Sequence, residues 1–186
     1  MRISQSTRIL SLTLILVAAI LSAVGRPYTV TSALAKSPSD SDPPATCPVT
    51  RPPNPPFVPP PPYPATTGTG AFWFGTPKLW AALPTSGEWR GLRGYKPTDL
   101  SYRQKLIWWR QGYDWRAEPR PTLVVTGRQL DASEPPLEIS NPSNGYNEQM
   151  KSSFMIVAAD FPTLGCWETT GDYKGDKLSY VVWVAH

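Results

Sequence analysis

Proline dominates one segment of this sequence and limits the structures that the segment can adopt. Twelve of the 22 residues at positions 43–64 are proline, including an unbroken run at positions 59–62. Because proline has no backbone N–H and holds φ near −65°, the segment cannot form a helix or a central strand, and we expect polyproline II. At about 3.1 Å per residue it would reach about 70 Å, roughly twice the diameter of the domain that follows. It is therefore either a stalk that projects this domain or a strap that lies along its surface.

The N-terminal residues have the order of a secretory signal. Arg2 and Arg8 precede an apolar run at positions 9–24, and small residues follow at Gly25 and Ala35, where signal peptidase could cut. As a helix, this run of 16 residues would be about 24 Å long, which is short for a hydrocarbon core of about 30 Å. We therefore expect residues 1–35 to be a cleaved signal peptide, with an uncleaved membrane anchor as the alternative.

Most of the formal charge of +4 comes from the same N-terminal segment. Three of the 18 basic side chains and none of the 14 acidic ones lie in residues 1–35, so the mature chain would be close to neutral. A nearly neutral protein lacks the positive field that attracts nucleic acids and anionic membranes. We expect a secreted, periplasmic or cell-surface protein that binds no nucleic acid and meets a membrane only through an uncleaved N-terminal segment.

The chain contains two cysteines, Cys47 and Cys166. Cysteines of an exported protein meet an oxidising compartment, where they usually pair. We expect a disulfide between them, and two free thiols are the alternative. The bond would hold the start of the Pro-rich segment within about 7 Å of Cys166, Cα to Cα, and would make the segment a strap.

From position 70 onward, short apolar runs are separated by Gly, Pro, Asn and Asp, a pattern typical of β-strands joined by turns. A weak helical pattern occurs at positions 98–105. Eight strands are expected, at positions 71–74, 79–82, 105–109, 122–128, 137–140, 153–159, 165–171 and 177–184. The sequence therefore predicts an all-β, antiparallel β-sandwich at residues 70–186, preceded by the signal peptide and by a Pro-rich linker or strap at residues 36–69.

The last two expected strands form the clearest local pattern. Gly165 and Trp167 open one strand, Lys174, Gly175 and Asp176 form a hairpin loop, and an apolar final strand follows. This arrangement resembles the F–G hairpin of immunoglobulin-like sandwiches, with an aromatic residue at the corner two positions after a glycine. The resemblance implies an immunoglobulin-like fold in which Trp167 lies at the corner and in the core.

Several motifs together resemble a family of uncharacterised bacterial secreted proteins. They are Cys-Pro-Val-Thr at positions 47–50, Trp-Trp-Arg at 108–110, Gly-Arg-Gln-Leu-Asp at 127–131 and Phe-Pro-Thr-Leu-Gly-Cys-Trp-Glu at 161–168. The resemblance covers most of residues 47–184 and implies a C-terminal Gly-Cys-Trp-Glu β-hairpin. It implies no activity.

Catalytic chemistry has little support in the sequence. The single histidine is His186, at the last position, whereas Ser-His-Asp and Cys-His relays need a positioned imidazole and His-rich metal sites need several. The sequence also lacks the short motifs of serine hydrolases, zinc proteases, P-loops and Ca²⁺ loops. We expect no enzyme activity, no metal and no cofactor. A hydrolase with a carboxylate pair is one alternative, and its candidate acids are Asp131, Glu134, Glu138, Asp160, Glu168, Asp172 and Asp176.

Tryptophan is abundant, with 8 residues, and two of them adjoin at positions 108 and 109. Neighbouring residues on a strand point to opposite faces, so these two rings cannot both enter one core. A candidate surface for a protein partner or a cell-surface glycan therefore combines aromatic rings with planar charged groups. Its members are Trp108, Trp109, Arg110, Tyr113, Trp115 and Arg116. The alternative is that these rings cover a small core, with arginine stems stacked on them.

Together these features favour a secreted or surface-tethered, non-catalytic β-sandwich module with a structural or protein-interaction role. The other two hypotheses are a carbohydrate-binding module that uses the aromatic cluster at residues 108–115, and the hydrolase. The partner would be a protein of unknown identity or, in the carbohydrate hypothesis, a cell-surface glycan.

Overall fold

The computed structural model describes residues 42–186, so the expected signal peptide at residues 1–35 lies outside the described residues. Within the described range, the regular secondary structure consists of ten β-strands. These are β1 (Ala71–Thr76), β2 (Leu79–Pro84), β3 (Glu88–Trp89), β4 (Tyr102–Trp109), β5 (Val124–Gln129), β6 (Glu138–Ile139), β7 (Ser143–Asn147), β8 (Ser152–Phe161), β9 (Gly165–Tyr173) and β10 (Asp176–Val184). The predicted all-β class is confirmed.

All eight expected strands are present, and the structure adds the short strands β3 and β7. The weak helical pattern at residues 98–105 does not form a helix. Its second half belongs to β4, which pairs with β8 from Tyr102 to Trp108, and its first half forms a turn that the Asp99 N–H closes on the Lys96 carbonyl at 2.9 Å. Pairing with a long neighbouring strand outweighs a weak local helical pattern.

Two sheets pack face to face. The first has the order β1-β2-β4-β8-β6, with β7 also paired with β8, and the second has the order β3-β10-β9-β5. Every pair is antiparallel except β3 with β10. In the immunoglobulin fold, strands A, B, E and D form one sheet and strands C, F and G form the other. Strands β2, β4, β8 and β6 take the places of A, B, E and D, and β5, β9 and β10 take those of C, F and G, so the predicted immunoglobulin-like sandwich is confirmed.

Alternate residues of the long strands fill the space between the sheets. Along β8 and β9, buried side chains alternate with partly exposed ones. At the centre, the Trp108 ring lies 5.4 Å from the Tyr180 ring, centroid to centroid. A Cβ on Gly171 would come within 2.7 Å of the Trp108 ring. Glycine at position 171 therefore makes room for this indole.

A second apolar cluster covers the outer face of the first sheet, beneath the Pro-rich segment. Three neighbouring strands contribute Trp73, Trp80 and Trp109, and the Tyr63 ring caps them edge-on, 4.8 Å from Trp80. The Tyr63 hydroxyl also donates a hydrogen bond to the Arg110 carbonyl at 3.0 Å. The described part of the Pro-rich segment is therefore a strap on the domain surface rather than a stalk.

A disulfide attaches the start of this strap to the second sheet. Cys47 and Cys166 are bonded, with their Cα atoms 5.6 Å apart, and both are buried. Three residues later, Thr50 donates its backbone N–H to the Val181 carbonyl at 2.9 Å and accepts the Val181 N–H on its side-chain oxygen at 2.8 Å. The predicted disulfide is confirmed, and it acts together with hydrogen bonds to β10.

Trp167 occupies the corner between β8 and β9. Its ring is fully buried and packs edge-to-face on Phe161 at 5.4 Å, while its indole N–H donates to the Thr163 carbonyl at 3.1 Å. The tyrosine corner of immunoglobulin domains makes the same kind of return hydrogen bond to backbone a few residues upstream. Gly165 opens the strand with φ of 136°, and a Cβ there would lie 2.3 Å from the Gln129 amide nitrogen.

Candidate functional site

The aromatic surface expected at residues 108–116 does not form as a ligand platform. Trp108, Trp109 and Tyr113 are only 0%, 5% and 8% exposed. Trp108 lies between the sheets, whereas Trp109 faces outward but packs against Trp73 at 5.0 Å, in the cluster beneath the strap. The neighbouring rings of Trp108 and Trp109 do point to opposite faces as expected, but β4 is covered on both faces at these two positions. The assignment of these three rings to a ligand surface is therefore wrong.

The other expected members of that surface have partners within the domain. Arg110 forms an ion pair with Asp176 at 3.4 Å. Trp115 is partly buried and stacks on Tyr146, with centroids 6.4 Å apart and planes inclined by 30°. The Arg116 guanidinium lies 4.9 Å from the Trp115 ring centroid. Arginine and tyrosine thus occupy the indole faces that a sugar ring would need.

Glu118 links the loop between β4 and β5 to strands β7 and β9. Its carboxylate accepts hydrogen bonds from the Tyr173 hydroxyl, from the Lys174 ammonium at 2.6 Å and from the Thr122 N–H at 3.0 Å. Its carbonyl accepts the Asn144 amide at 2.8 Å. Burial alone raises the pKa of Glu118, but the hydrogen bonds from Lys174, Tyr173 and Thr122 outweigh burial and hold this pKa below its ordinary value.

The variant Glu118→Gln should lower the free energy of unfolding by about 1 to 2 kcal/mol at neutral pH, because charged hydrogen bonds become neutral ones. Since the folded pKa lies below the unfolded one, the contribution of Glu118 is complete above the unfolded pKa and is lost as the pH falls through the folded pKa. Urea unfolding of both proteins across this range should show their difference closing in acid. Lys177→Gln, an exposed neighbour, should change stability by less than about 0.5 kcal/mol. A Glu118→Gln difference that persists undiminished in acid would contradict the assignment.

A different surface presents large apolar side chains to solvent. It is the loop between β3 and β4, residues 90–101, which we call the β3–β4 loop. Tyr95 is 72% exposed and Leu100 is 90% exposed. Moving side chains of this size and polarity out of water lowers the free energy. Two of them on one loop make it the candidate contact surface of the protein.

Asp99 holds the β3–β4 loop in one shape. Its carboxylate accepts the Tyr95 N–H at 3.1 Å and the Ser101 N–H at 3.0 Å. These hydrogen bonds, that of Ser101 foremost, lower the pKa of the Asp99 carboxyl. A Cβ on Gly94 would come within 2.6 Å of Asp99, so glycine is needed where the loop closes on itself. The loop therefore presents its exposed side chains from a fixed backbone.

The first sheet anchors this loop through Arg103. The guanidinium forms a bidentate ion pair with Asp160 of β8, with Nε 2.6 Å from Oδ1. The same guanidinium lies 4.7 Å from the centroid of the Tyr95 ring, and the Arg103 N–H donates to the Arg93 carbonyl at 3.2 Å. One face of the Tyr95 ring is thus held against the sheet, and the rest of the ring is open to a partner.

Two adjoining cavities lie against the loop, and together we call them the loop groove. The first has a volume of about 570 Å³, and its lining includes Leu92 and Tyr102 as well as Tyr95 and Leu100. The second has a volume of about 330 Å³ and shares lining residues 99 and 101 with the first. Both volumes lie in the range of ligand-binding clefts. Three prolines line the second cavity, Pro135, Pro136 and Pro162.

Sequence reasoning did not single out this loop as a functional surface. A usable signal existed, because connections between strands usually span about 4 to 6 residues, whereas residues 90–101 form a longer one. Long ordered loops without secondary structure of their own are often functional. The exposure of Tyr95 and Leu100 depends on long-range contacts and could not be derived from the pattern.

Within residues 42–186, no group of three or more His, Cys, Asp or Glu side chains is placed to hold a metal ion. The same range contains no helix with the length and apolar character needed to cross a membrane. Comparisons of the chain with protein-family models, with curated proteins and with solved structures find no match.

Proposed function

We propose that this protein is a non-catalytic β-sandwich module that binds another protein through the β3–β4 loop. The observation that carries the proposal is the exposure of Tyr95 and Leu100 on a loop that hydrogen bonds of Asp99 and Arg103 tie to itself and to the first sheet, beside an open groove. A rigid surface loses little conformational entropy on binding, so more of its contact energy appears as affinity.

The hydrolase hypothesis is weaker because five of its seven candidate acids, all but Glu134 and Glu138, have structural partners. An ion pair or a hydrogen bond from a neighbouring group engages Asp131, Asp160, Glu168, Asp172 and Asp176. Carboxylates held in this way stabilise turns and strand ends. Their engagement supports a binding role over a catalytic one.

A secreted, periplasmic or cell-surface location is part of this proposal. The disulfide supports it, since such bonds persist in oxidising compartments. We also propose membership of the bacterial secreted family whose motifs the sequence resembles. The β8–β9 corner supports that membership, since it uses the Gly-Cys-Trp motif for the disulfide and for the buried Trp167.

Site-specific photo-cross-linking tests the proposal in intact cells that produce the protein. Benzoylphenylalanine in place of Leu100 should yield discrete higher-mass adducts on irradiation. The same group in place of Ser179, an exposed residue on the outer face of the second sheet, should yield none. Excess unlabelled wild-type protein should compete the adducts away, whereas excess Tyr95→Ser/Leu100→Ser protein should not. Equal adducts from both positions, or none from position 100, would rule out this contact surface.

A further inference from the structure

The charge of the β3–β4 loop is one-sided. The only acid in residues 90–101 is Asp99, and backbone N–H groups of the loop engage its carboxylate. Arg93 and Lys96 are exposed, and neither has an ion-pair partner in the part of the chain that the structure describes. The loop therefore offers two uncompensated cations next to Tyr95 and Leu100.

The shape of this surface favours a chain over a bilayer as its occupant. A loop that inserts into a membrane interface presents its apolar groups on a convex tip. Here Tyr95 and Leu100 project beside an open cleft of about 570 Å³ that the same loop borders, and a flat lipid surface would leave this cleft unfilled. A side chain from a partner fills such a cavity and gains contacts on several sides.

The extent of the groove favours an extended segment over a compact ligand. The two cavities adjoin, because Asp99 and Ser101 line both. Besides its three prolines, the second cavity is lined by the carboxylates of Glu138 and Asp160, and Asp160 is paired with Arg103. An extended chain crosses two adjoining cavities of this kind with successive side chains.

The geometry points to an extended acidic segment of a partner protein, carrying at least one large apolar side chain, as the occupant of the loop groove. Its carboxylates lie at the first cavity and pair with Arg93 and Lys96, and its apolar side chain packs against Tyr95 and Leu100. The part that crosses the second cavity, beside Glu138, is uncharged. The charges select the partner and speed its association, while the apolar contact supplies most of the affinity. This inference rests on the proposed function and specifies the partner's chemistry.

Fluorescence anisotropy with short synthetic peptides tests the inference. One labelled peptide alternates Glu with Leu, a second replaces each Glu by Lys, and a third keeps Glu but replaces each Leu by Ser. The wild-type protein should bind the first peptide about tenfold or more tightly than either of the others. In the variant Arg93→Glu/Lys96→Glu the preference should reverse, so that the Lys-Leu peptide binds more tightly than the Glu-Leu peptide. Thermal unfolding checks that these exposed substitutions leave the fold intact.

Three results of the binding assays would overturn the inference. They are equal binding of the Glu-Leu and Lys-Leu peptides by wild-type protein, unchanged preference in Arg93→Glu/Lys96→Glu, and binding to phosphatidylserine vesicles without binding to any peptide. Self-association that Tyr95→Ser abolishes would also overturn it, since the occupant would then be a second copy. Affinity for the Glu-Leu peptide that falls as salt rises would support it.

Cross-linking from position 100 separates the failure of this inference from the failure of the proposed function. If adducts persist in Arg93→Glu/Lys96→Glu at the wild-type level, a partner binds but its acidity is not what the loop recognises. If adducts are absent in both proteins, both the partner and its chemistry are refuted. Loss of adducts in the charge-reversed protein alone supports both.

Discussion

Replacing Trp167 with alanine should lower the free energy of unfolding by about 3 to 5 kcal/mol, a large share of the roughly 5 to 15 kcal/mol that a domain possesses. The change removes a fully buried ring from its contact with Phe161 and leaves a cavity in its place. It also leaves the Thr163 carbonyl without its indole donor, which adds the cost of an unsatisfied polar group. Urea unfolding followed by tryptophan fluorescence and by circular dichroism measures the loss.

Two further variants identify the origin of that loss. Trp167→Phe keeps an aromatic ring but loses the indole N–H, so it should fall between wild type and Trp167→Ala. Trp115→Ala removes a ring of the same size from a partly exposed position and should cost much less, about 1 kcal/mol. If Trp167→Ala melted within about one or two degrees of wild type, the corner would not be a determinant of stability.

Removing the disulfide should cost up to about 5 kcal/mol in the chain-entropy model, because the bond joins residues 119 positions apart and restricts a long loop of the unfolded chain. The double variant Cys47→Ala/Cys166→Ala keeps both sites apolar and avoids a lone thiol. Its urea midpoint, compared with that of the oxidised wild type, measures the effect.

Thr50→Ala is the matched control for the disulfide. It removes the side-chain oxygen that accepts the Val181 N–H but keeps the covalent attachment, and it should cost about 1 kcal/mol. Two titratable thiols in the native protein, or equal midpoints for the double variant and wild type, would contradict a stabilising bond.

The strands were predictable because their local signals and their long-range pairing agree. At the β9–β10 hairpin, Lys174 and Gly175 both adopt positive φ, 54° and 87°, the geometry of a tight two-residue hairpin turn. The sequence there contains glycine between two expected strands, so the pattern and the structure coincide. Periodicity also correctly predicted that the neighbouring rings of Trp108 and Trp109 point to opposite faces.

The same pattern could not predict whether those rings would be buried or exposed. Periodicity separates the two faces of a strand but says nothing about what covers each face. Trp109 is buried because a strap distant in sequence places Tyr63 over the same cluster, a contact no local pattern contains. The exposed candidate surface was missed for a related reason, since the β3–β4 loop depends on Arg103 pairing with Asp160, 57 positions away.

The strap also limits the order in which parts of the domain can fold onto one another. The ribosome releases residues 42–64 early, yet the rings on which Tyr63 rests come from β1, β2 and β4, and the partner of Cys47 comes 119 residues later. Tyr63 therefore has its place once β4 exists, but Cys47 and Thr50 have none until nearly all of the domain exists. Attachment of the start of the strap is a late step of assembly. In a chain interrupted before Cys166, Cys47 remains an unpaired thiol, whereas in the finished chain it is bonded.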